Sequence, residues 1–294
     1  MDRIKLTIVM LLWGSIGVFT RSIDLSPIIL AFLRAIISLP IIFIFFLAKG
    51  QRLNYKFSTL KPYIVSGVLL GFGWATLFYG YKNTSVSSAV IIYNMCPIYV
   101  LIAAPTFLKE KITKLQICII SISFIGLFLV IGNNAFDNSN IFGMLLSGVS
   151  GILYSLIVII NRKVKNKIDS SAAALIQILT SSIVLLPIVI LEGELGRILT
   201  LDSKGILFTI ILGIVHTGIA YVLYFSTYHH MLSIEIATYS YLEPIFGIML
   251  SVTFLSEILS FTQILGGIMI LSSTYIGEYI KSKKEKALAN ISSL

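Results

Sequence analysis

Charge is what this sequence has least of: Asp, Glu, Lys and Arg together make up 12% of its 294 residues, where a soluble domain carries about 25%. A surface so poor in charge would not stay dissolved in water. Cysteine is scarce too. Cys96 and Cys118 lie inside apolar runs, read as small core residues, and offer neither a disulfide framework nor a metal-ligand spacing. Glycine-rich phosphate loops are absent, and without a Walker sequence drive by ATP is not expected. Spacing suggests no Ser/His/Asp or Cys/His arrangement, and His229-His230 reads as a solvated pair in a loop. Connections between apolar runs are short and leave no room for a soluble domain. An embedded enzyme would need a nucleophile or metal cluster near a membrane face, and a receptor would carry long loops or an appended domain. Neither is expected, and no cofactor or metal is expected.

What fills the sequence instead is apolar residues, 57% of the total. They come in runs of about 18–22, the length that crosses a hydrocarbon core of roughly 30 Å as a helix. A barrel strand would show about ten residues of alternating polarity. An all-α membrane protein follows, with ten transmembrane helices at about 4–20, 27–48, 61–81, 86–107, 114–132, 141–161, 170–191, 204–227, 234–254 and 261–280. The first run reads as a retained helix, because no small-residue cleavage site follows it. The net charge of +9 is distributed as an orientation signal. With the N-terminus cytoplasmic, seventeen Lys and Arg fall on that side, and only Arg21, Lys82, Arg197 and Lys204 fall outside. This predicts a multi-pass protein of the cell membrane with both termini cytoplasmic, whose partners are the lipid bilayer and a small molecule and not nucleic acid.

The chain also repeats itself. Asn94-Met95-Cys96-Pro97 is followed by Glu110, and Tyr241-Leu242-Glu243-Pro244 by Glu257, both at an offset of 147. The same offset joins Pro40 to Pro187, Gly71 to Gly218, Phe78 to Phe225, Tyr81 to Tyr228 and Gln116 to Gln263. At another offset, Met10-Leu11-Leu12 with Gly14 and Gly17 matches Met144-Leu145-Leu146 with Gly148 and Gly151. Two five-helix halves are expected, residues 1–133 and 140–280, followed by a basic tail over 281–294. Five is odd, so the second half is inverted, a device of secondary transporters. Glu110 and Glu257 read as structural residues ending helices.

At these residues the sequence resembles the drug/metabolite transporter superfamily, specifically the ten-helix EamA-type transporters, over essentially the whole chain. The second half carries the more typical pattern: Gly218-Ile219-Ala220-Tyr221, Tyr224-Phe225, Ser240-Tyr241-Leu242-Glu243-Pro244 and Glu257. The first half departs from it, with Cys96 where the second has Glu243. The resemblance implies transport of amino acids, their derivatives, nucleosides, drugs or small cationic nutrients. It does not imply which.

Ionisable groups inside a bilayer are functional candidates, because a charge there costs about 2.5–3.5 kcal/mol on insertion scales. Glu243, mid-span and next to a helix-loosening proline, reads as a proton carrier, a partner for a substrate ammonium, or a protonated group bonded to a neighbouring helix. His216 reads as a titrating or carboxylate-binding group, or as a neutral histidine satisfied between helices. Arg34, one third of the way into the second span, suits a substrate carboxylate, Glu243 or a fixed ion pair. The offset sets Ser181 opposite it, with Gln177 one turn away. Asn94 reads as a substrate contact or as the partner of a carbonyl freed by Pro97. Trp74 and Tyr221 are repeat partners and are expected to face a common cavity, while Tyr93, Tyr239 and Tyr241 flank the proline breaks and Trp13 and Tyr154 lie in the first helix of each half. An aromatic cavity with a carboxylate suits an amine by cation–π attraction. The expected function is secondary active transport by alternating access, most simply export of an amino acid or derivative, possible proton coupling resting on Glu243. The alternative is a facilitator or importer of an organic cation such as choline.

Overall fold

A computed structural model describes residues 2–51, 54–108, 113–131, 138–164, 167–193, 195–227 and 239–292. Glu110, Lys165, Tyr228 and His229-His230 lie outside the described residues. Described regular structure is helical throughout: α1 (Asp2–Arg21), α2 (Pro27–Ala48), α3 (Phe57–Asn83), α4 (Val86–Tyr93), α5 (Cys96–Leu108), α6 (Lys114–Ile131), α7 (Asn138–Lys163), α8 (Ser170–Glu192), α9 (Ser203–Gly213), a π-turn (Ile214–Ile219), α10 (Ala220–Thr227), α11 (Leu242–Leu255) and α12 (Phe261–Ser292). Among the described residues, 7 helices are long and apolar enough to cross a membrane. The apolar stretches Lys114–Val130, Leu242–Leu255 and Phe261–Gly277 are shorter. Large apolar side chains such as Ile44, Phe128 and Leu145 stand on the outside of the bundle, where only lipid could cover them.

Polar residues set the helix ends. Ser26 accepts from the Ile29 amide with Pro27 in the first turn, Ser85 accepts from Ser88, and Asp169 and Asp202 cap α8 and α9. Each satisfies an amide that has no intrahelical acceptor. Two helices break where proline was expected to break them. The Asn94–Met95 turn separates α4 from α5, and Tyr241 sits in a turn just before α11. Pro97 and Pro244 therefore occupy first-turn positions, where a missing N–H leaves no acceptor unfilled.

Small residues bring the helices together. A methyl group at Gly14 of α1 would stand 2.7 Å from the Glu243 carbonyl oxygen and 2.9 Å from the Gly247 amide of α11. One at Gly151 of α7 would stand 2.9 Å from the Tyr93 carbonyl. Along α3, Gly67 and Gly71 press on Gln177 and Ser181 of α8, and the Ser150 hydroxyl of α7 donates to the Gly73 carbonyl over 2.7 Å. Gly126 and Gly266 let α6 and α12 touch backbone to backbone beside a Ser123–Ser273 hydroxyl pair of 2.6 Å. Close approach of this kind is how apolar helices associate without a hydrophobic drive between them. Gly14→Ala is expected to destabilise the protein by about 1–3 kcal/mol, the usual cost of overpacking. The measurement is the thermal midpoint of the purified variant, and an unchanged midpoint would refute the packing.

Glu257 has a specific place. Glu257 follows α11 directly, and its carboxylate receives the Val86 amide at 2.6 Å, the Ser87 amide at 3.0 Å and the Ser87 hydroxyl at 2.7 Å. It thus caps the first turn of α4, where the helix dipole favours an anion. The Ser87 hydroxyl also lies 2.6 Å from that of Ser251 in α11. Glu257 reads in the sequence as a structural residue ending a helix; its amide bonds back to the Ser251 carbonyl at the end of α11, and its carboxylate adds a second task, tying that end to the start of α4.

Candidate functional site

The two breaks open onto one cavity of about 260 Å³. Residues from α1 (Trp13), α2 (Arg34), α3 (Trp74, Tyr81), α5 (Cys96, Pro97), α7 (Ser150, Tyr154), α10 (Tyr221, Tyr224) and α11 (Glu243) line it, with Tyr93, Asn94, Ser240 and Tyr241 at the breaks. The rings pack into a wall: Trp13 lies 5.5 Å from Tyr221 and 4.9 Å from Tyr224, and Tyr93 lies 5.8 Å from Tyr154, all tilted. Eight of the 22 lining residues are aromatic, aliphatic side chains such as Ile16, Leu70 and Val158 fill in between them, and Arg34 and Glu243 are the charged ones.

Arg34 is 4% exposed. Its guanidinium lies over the Trp74 ring at 4.3 Å from the centroid, and its Nε donates to the Thr217 hydroxyl over 2.6 Å. Among the described residues, neither its two terminal nitrogens nor the Glu243 carboxylate has a hydrogen-bond or ion-pair partner, and the two do not pair with each other. An uncompensated charge in an apolar interior is costly. Here both charges face the same small space, which a molecule with matching groups would fill. Asn94 lines the cavity as well, but its amide donates to the Val90 carbonyl over 2.9 Å. That bond lies at the end of α4, and the Val90 carbonyl also receives the Asn94 backbone amide, so it is not a carbonyl freed by Pro97.

Six of the nine residues singled out by sequence come together here: Glu243, Arg34, Asn94, Trp74, Tyr221 and Tyr93. Trp74 and Tyr221 do face one cavity. The other three stand elsewhere. His216 is 1% exposed, with Nδ1 3.2 Å from the Ile211 carbonyl, Nε2 2.8 Å from the Ser15 hydroxyl and its ring against Phe19. It is satisfied between helices, the alternative the sequence left open. Gln177 donates to Asn161 over 3.0 Å, in a cluster with Ser66. Tyr239 packs on the cluster of Leu6, Val9 and Met10. Ser181, opposite Arg34 in the repeat, donates back to its own helix at Ile178. Sequence reading missed Tyr81, Ser150 and Tyr224 as wall residues. For Tyr81 and Tyr224 a signal existed, since both lie in repeated or family-like segments. Ser150 had none.

A bundle of membrane-length apolar helices around a cavity with two facing but unpaired opposite charges belongs to the class of multi-pass membrane transporters. The match to a known family is direct: the EamA-like transporter family covers residues 4–132 and 141–277, and the chain belongs to it. It is 26% identical over 276 residues to the uncharacterized transporter YxxF of Bacillus subtilis, covering 92% of this chain and 86% of that one. An uncharacterized transporter of Archaeoglobus fulgidus is 23% identical over 282 residues, covering 93% and 96%. The S-adenosylmethionine uptake transporter of Rickettsia conorii is 25% identical over 260 residues, covering 86% and 83%. A solved crystal structure shares the fold at a TM-score of 0.61 with 16% identity, over 94% of this chain and 97% of that one.

Proposed function

We propose that the chain is a ten-span secondary transporter of two inverted five-helix repeats, 1–133 and 140–280, with both termini cytoplasmic, and that it exports an amino acid or a derivative by alternating access. Three features support the repeat. The family match runs separately over the two halves. The turns at Asn94 and Tyr241 stand at the repeat offset. The packing is crossed: α1 of the first half lies on α11 of the second, and α7 of the second lies on α4 and α5 of the first. Alternate breaking of such crossed contacts is how two similar halves exchange roles.

The observation that carries the substrate reading is the facing of Arg34 and Glu243 across one cavity rich in aromatic rings, with the two terminal nitrogens of the one and the carboxylate of the other free of hydrogen-bond partners among the described residues. A zwitterion neutralises both: its carboxylate meets Arg34 and its ammonium meets Glu243 and the rings. Glu243 is also the candidate for proton coupling. Net outward flux is this reading's choice of direction, and uptake, the direction named for the S-adenosylmethionine relative, is the alternative.

The organic-cation reading has its own support in Glu243 and the surrounding tyrosines. S-adenosylmethionine, the substrate named for one relative, combines an amino-acid zwitterion with a sulfonium and satisfies both readings. Thermal shift of the purified protein separates them with L-phenylalanine, 3-phenylpropanoate, phenethylamine, choline and S-adenosylmethionine. A ligand at a hundredfold its Kd stabilises by about 2.7 kcal/mol. The zwitterions are expected to stabilise most. Stabilisation by phenethylamine and choline alone would replace this reading with the cation one.

A further inference from the structure

The π-turn Ile214–Ile219 is built from residues that do not line the cavity, yet it holds two that do. Its His216 carbonyl receives the indole N–H of Trp13 over 3.0 Å. Its Thr217 hydroxyl receives Arg34 Nε over 2.6 Å. A π-turn holds one more residue per turn than an α-helix, and such bulges recur at functional sites. The wider turn has a specific consequence here. The Thr217 hydroxyl reaches back five residues and donates to the Leu212 carbonyl over 2.9 Å. With its single proton committed, the oxygen can only accept, and what it accepts is Arg34.

Glycine makes the approach possible. A methyl group at Gly213 would stand 2.5 Å from Ile37, and one at Gly218 would stand 2.8 Å from Ile41. These isoleucines lie one and two turns beyond Arg34 on α2. The π-turn therefore presses on the same helix that carries the arginine, which brings Thr217 within reach of it.

The geometry points to Thr217 as a positioning residue that selects for a carboxylate, and so deepens the zwitterion reading on which it rests. A guanidinium has five N–H groups and can bind a carboxylate side-on, through Nε and one terminal nitrogen, or end-on, through both terminal nitrogens. Thr217 occupies Nε and closes the side-on edge. Trp74, at 4.3 Å, fixes the plane of the group. That leaves the end-on fork of this cavity-lining arginine, and a planar carboxylate matches it with two parallel bonds. Arg34 lies in the first half and Thr217 in the second, so the arrangement also ties carboxylate recognition to the contact between the halves.

The test is affinity, by thermal shift and equilibrium binding, of Thr217→Val, Thr217→Ala and Thr217→Ser for L-phenylalanine, 3-phenylpropanoate and phenethylamine. Valine keeps the shape and removes the acceptor, alanine serves if valine does not fold, and serine restores the hydroxyl. Loss of one directed, charge-assisted bond is expected to weaken the two carboxylates roughly tenfold, the effect of about 1.4 kcal/mol. Phenethylamine, which lacks the carboxylate, should be unaffected, and Thr217→Ser should bind all three like the parent. Equal weakening of all three ligands would make Thr217 merely structural and overturn the inference. So would unchanged carboxylate affinity in Thr217→Val or Thr217→Ala, or failure of Thr217→Ser to restore it. Absence of carboxylate binding by the unaltered protein would overturn the zwitterion reading itself, and this inference with it.

Discussion

Glu243→Gln is expected to insert and fold like the parent while losing at least about tenfold in affinity for ammonium-bearing ligands, the effect of roughly 1.4 kcal/mol. The substitution keeps the size of the side chain and its capacity for hydrogen bonds. It removes only the negative charge. Among the described residues that charge makes no hydrogen bond or ion pair, so none is broken when it goes. Arg34 loses the attraction of the carboxylate across the cavity, while the cost of burying that carboxylate is relieved. The two effects oppose each other, and the melting temperature should change little. The ligands give the effect a sign. Phenethylamine and L-phenylalanine should weaken, whereas 3-phenylpropanoate should bind as well or better, because Arg34 then has no competing carboxylate across the cavity. If Glu243 also carries a proton, transport of L-phenylalanine into proteoliposomes should lose its pH dependence across about pH 5–8. Normal, pH-dependent transport by a stable Glu243→Gln protein would remove both roles. Failure of the variant to fold would show that the carboxylate is structural.

Prolines and lone charges were legible in the sequence because each has one dominant physical consequence. Pro97 and Pro244 forbid an unbroken helix, and both breaks occur within three residues of them. Arg34 and Glu243 sit in apolar runs where no neighbour in sequence can neutralise them, so they had to face something other than lipid. Helical facing was harder to read. Gln177, Tyr239 and His216 satisfy the same sequence criteria, yet each points to a neighbouring helix. Which way a side chain points depends on the rotation of its helix, and in a span apolar on every side no amphipathic stripe sets that rotation. Ser150 joined the site because α7 lies on Gly73 of α3, a contact between residues far apart in the chain. The π-turn left no trace at all in sequence. It depends on Gly213 and Gly218 meeting Ile37 and Ile41, and glycine pairs of that kind also occur in straight helices.

Joining Ser87 to Ser251 should stop transport while leaving ligand binding intact. Their hydroxyls are 2.6 Å apart, one at the start of α4 and the other in α11, and Glu257 already bridges the same two helices through three bonds. The other contacts of this face are of the same kind: Gln263 donates to Ser88 over 3.2 Å, and Arg21 donates to the Tyr81 and Thr84 carbonyls over 2.7 and 2.6 Å. None of Ser87, Ser251 and Glu257 lines the cavity. If the two halves alternate, α4 and α11 must separate here for the cavity to reach this side, and every one of these bonds can be broken and remade at moderate cost. A disulfide cannot be broken in that way. With side-chain oxygens 2.6 Å apart, the cysteine pair Ser87→Cys/Ser251→Cys would place its two sulfurs side by side, so it is the cross-link to test. Oxidised, the double variant should bind L-phenylalanine within about twofold of its reduced form, a difference below 0.5 kcal/mol, yet carry it across proteoliposome membranes at under about a tenth of the reduced rate. A reductant should restore the rate, and each single variant should ignore the oxidant. Undiminished transport by fully cross-linked protein would mean that α4 and α11 never part, and the cavity would then need a route to this face that leaves both helices in place.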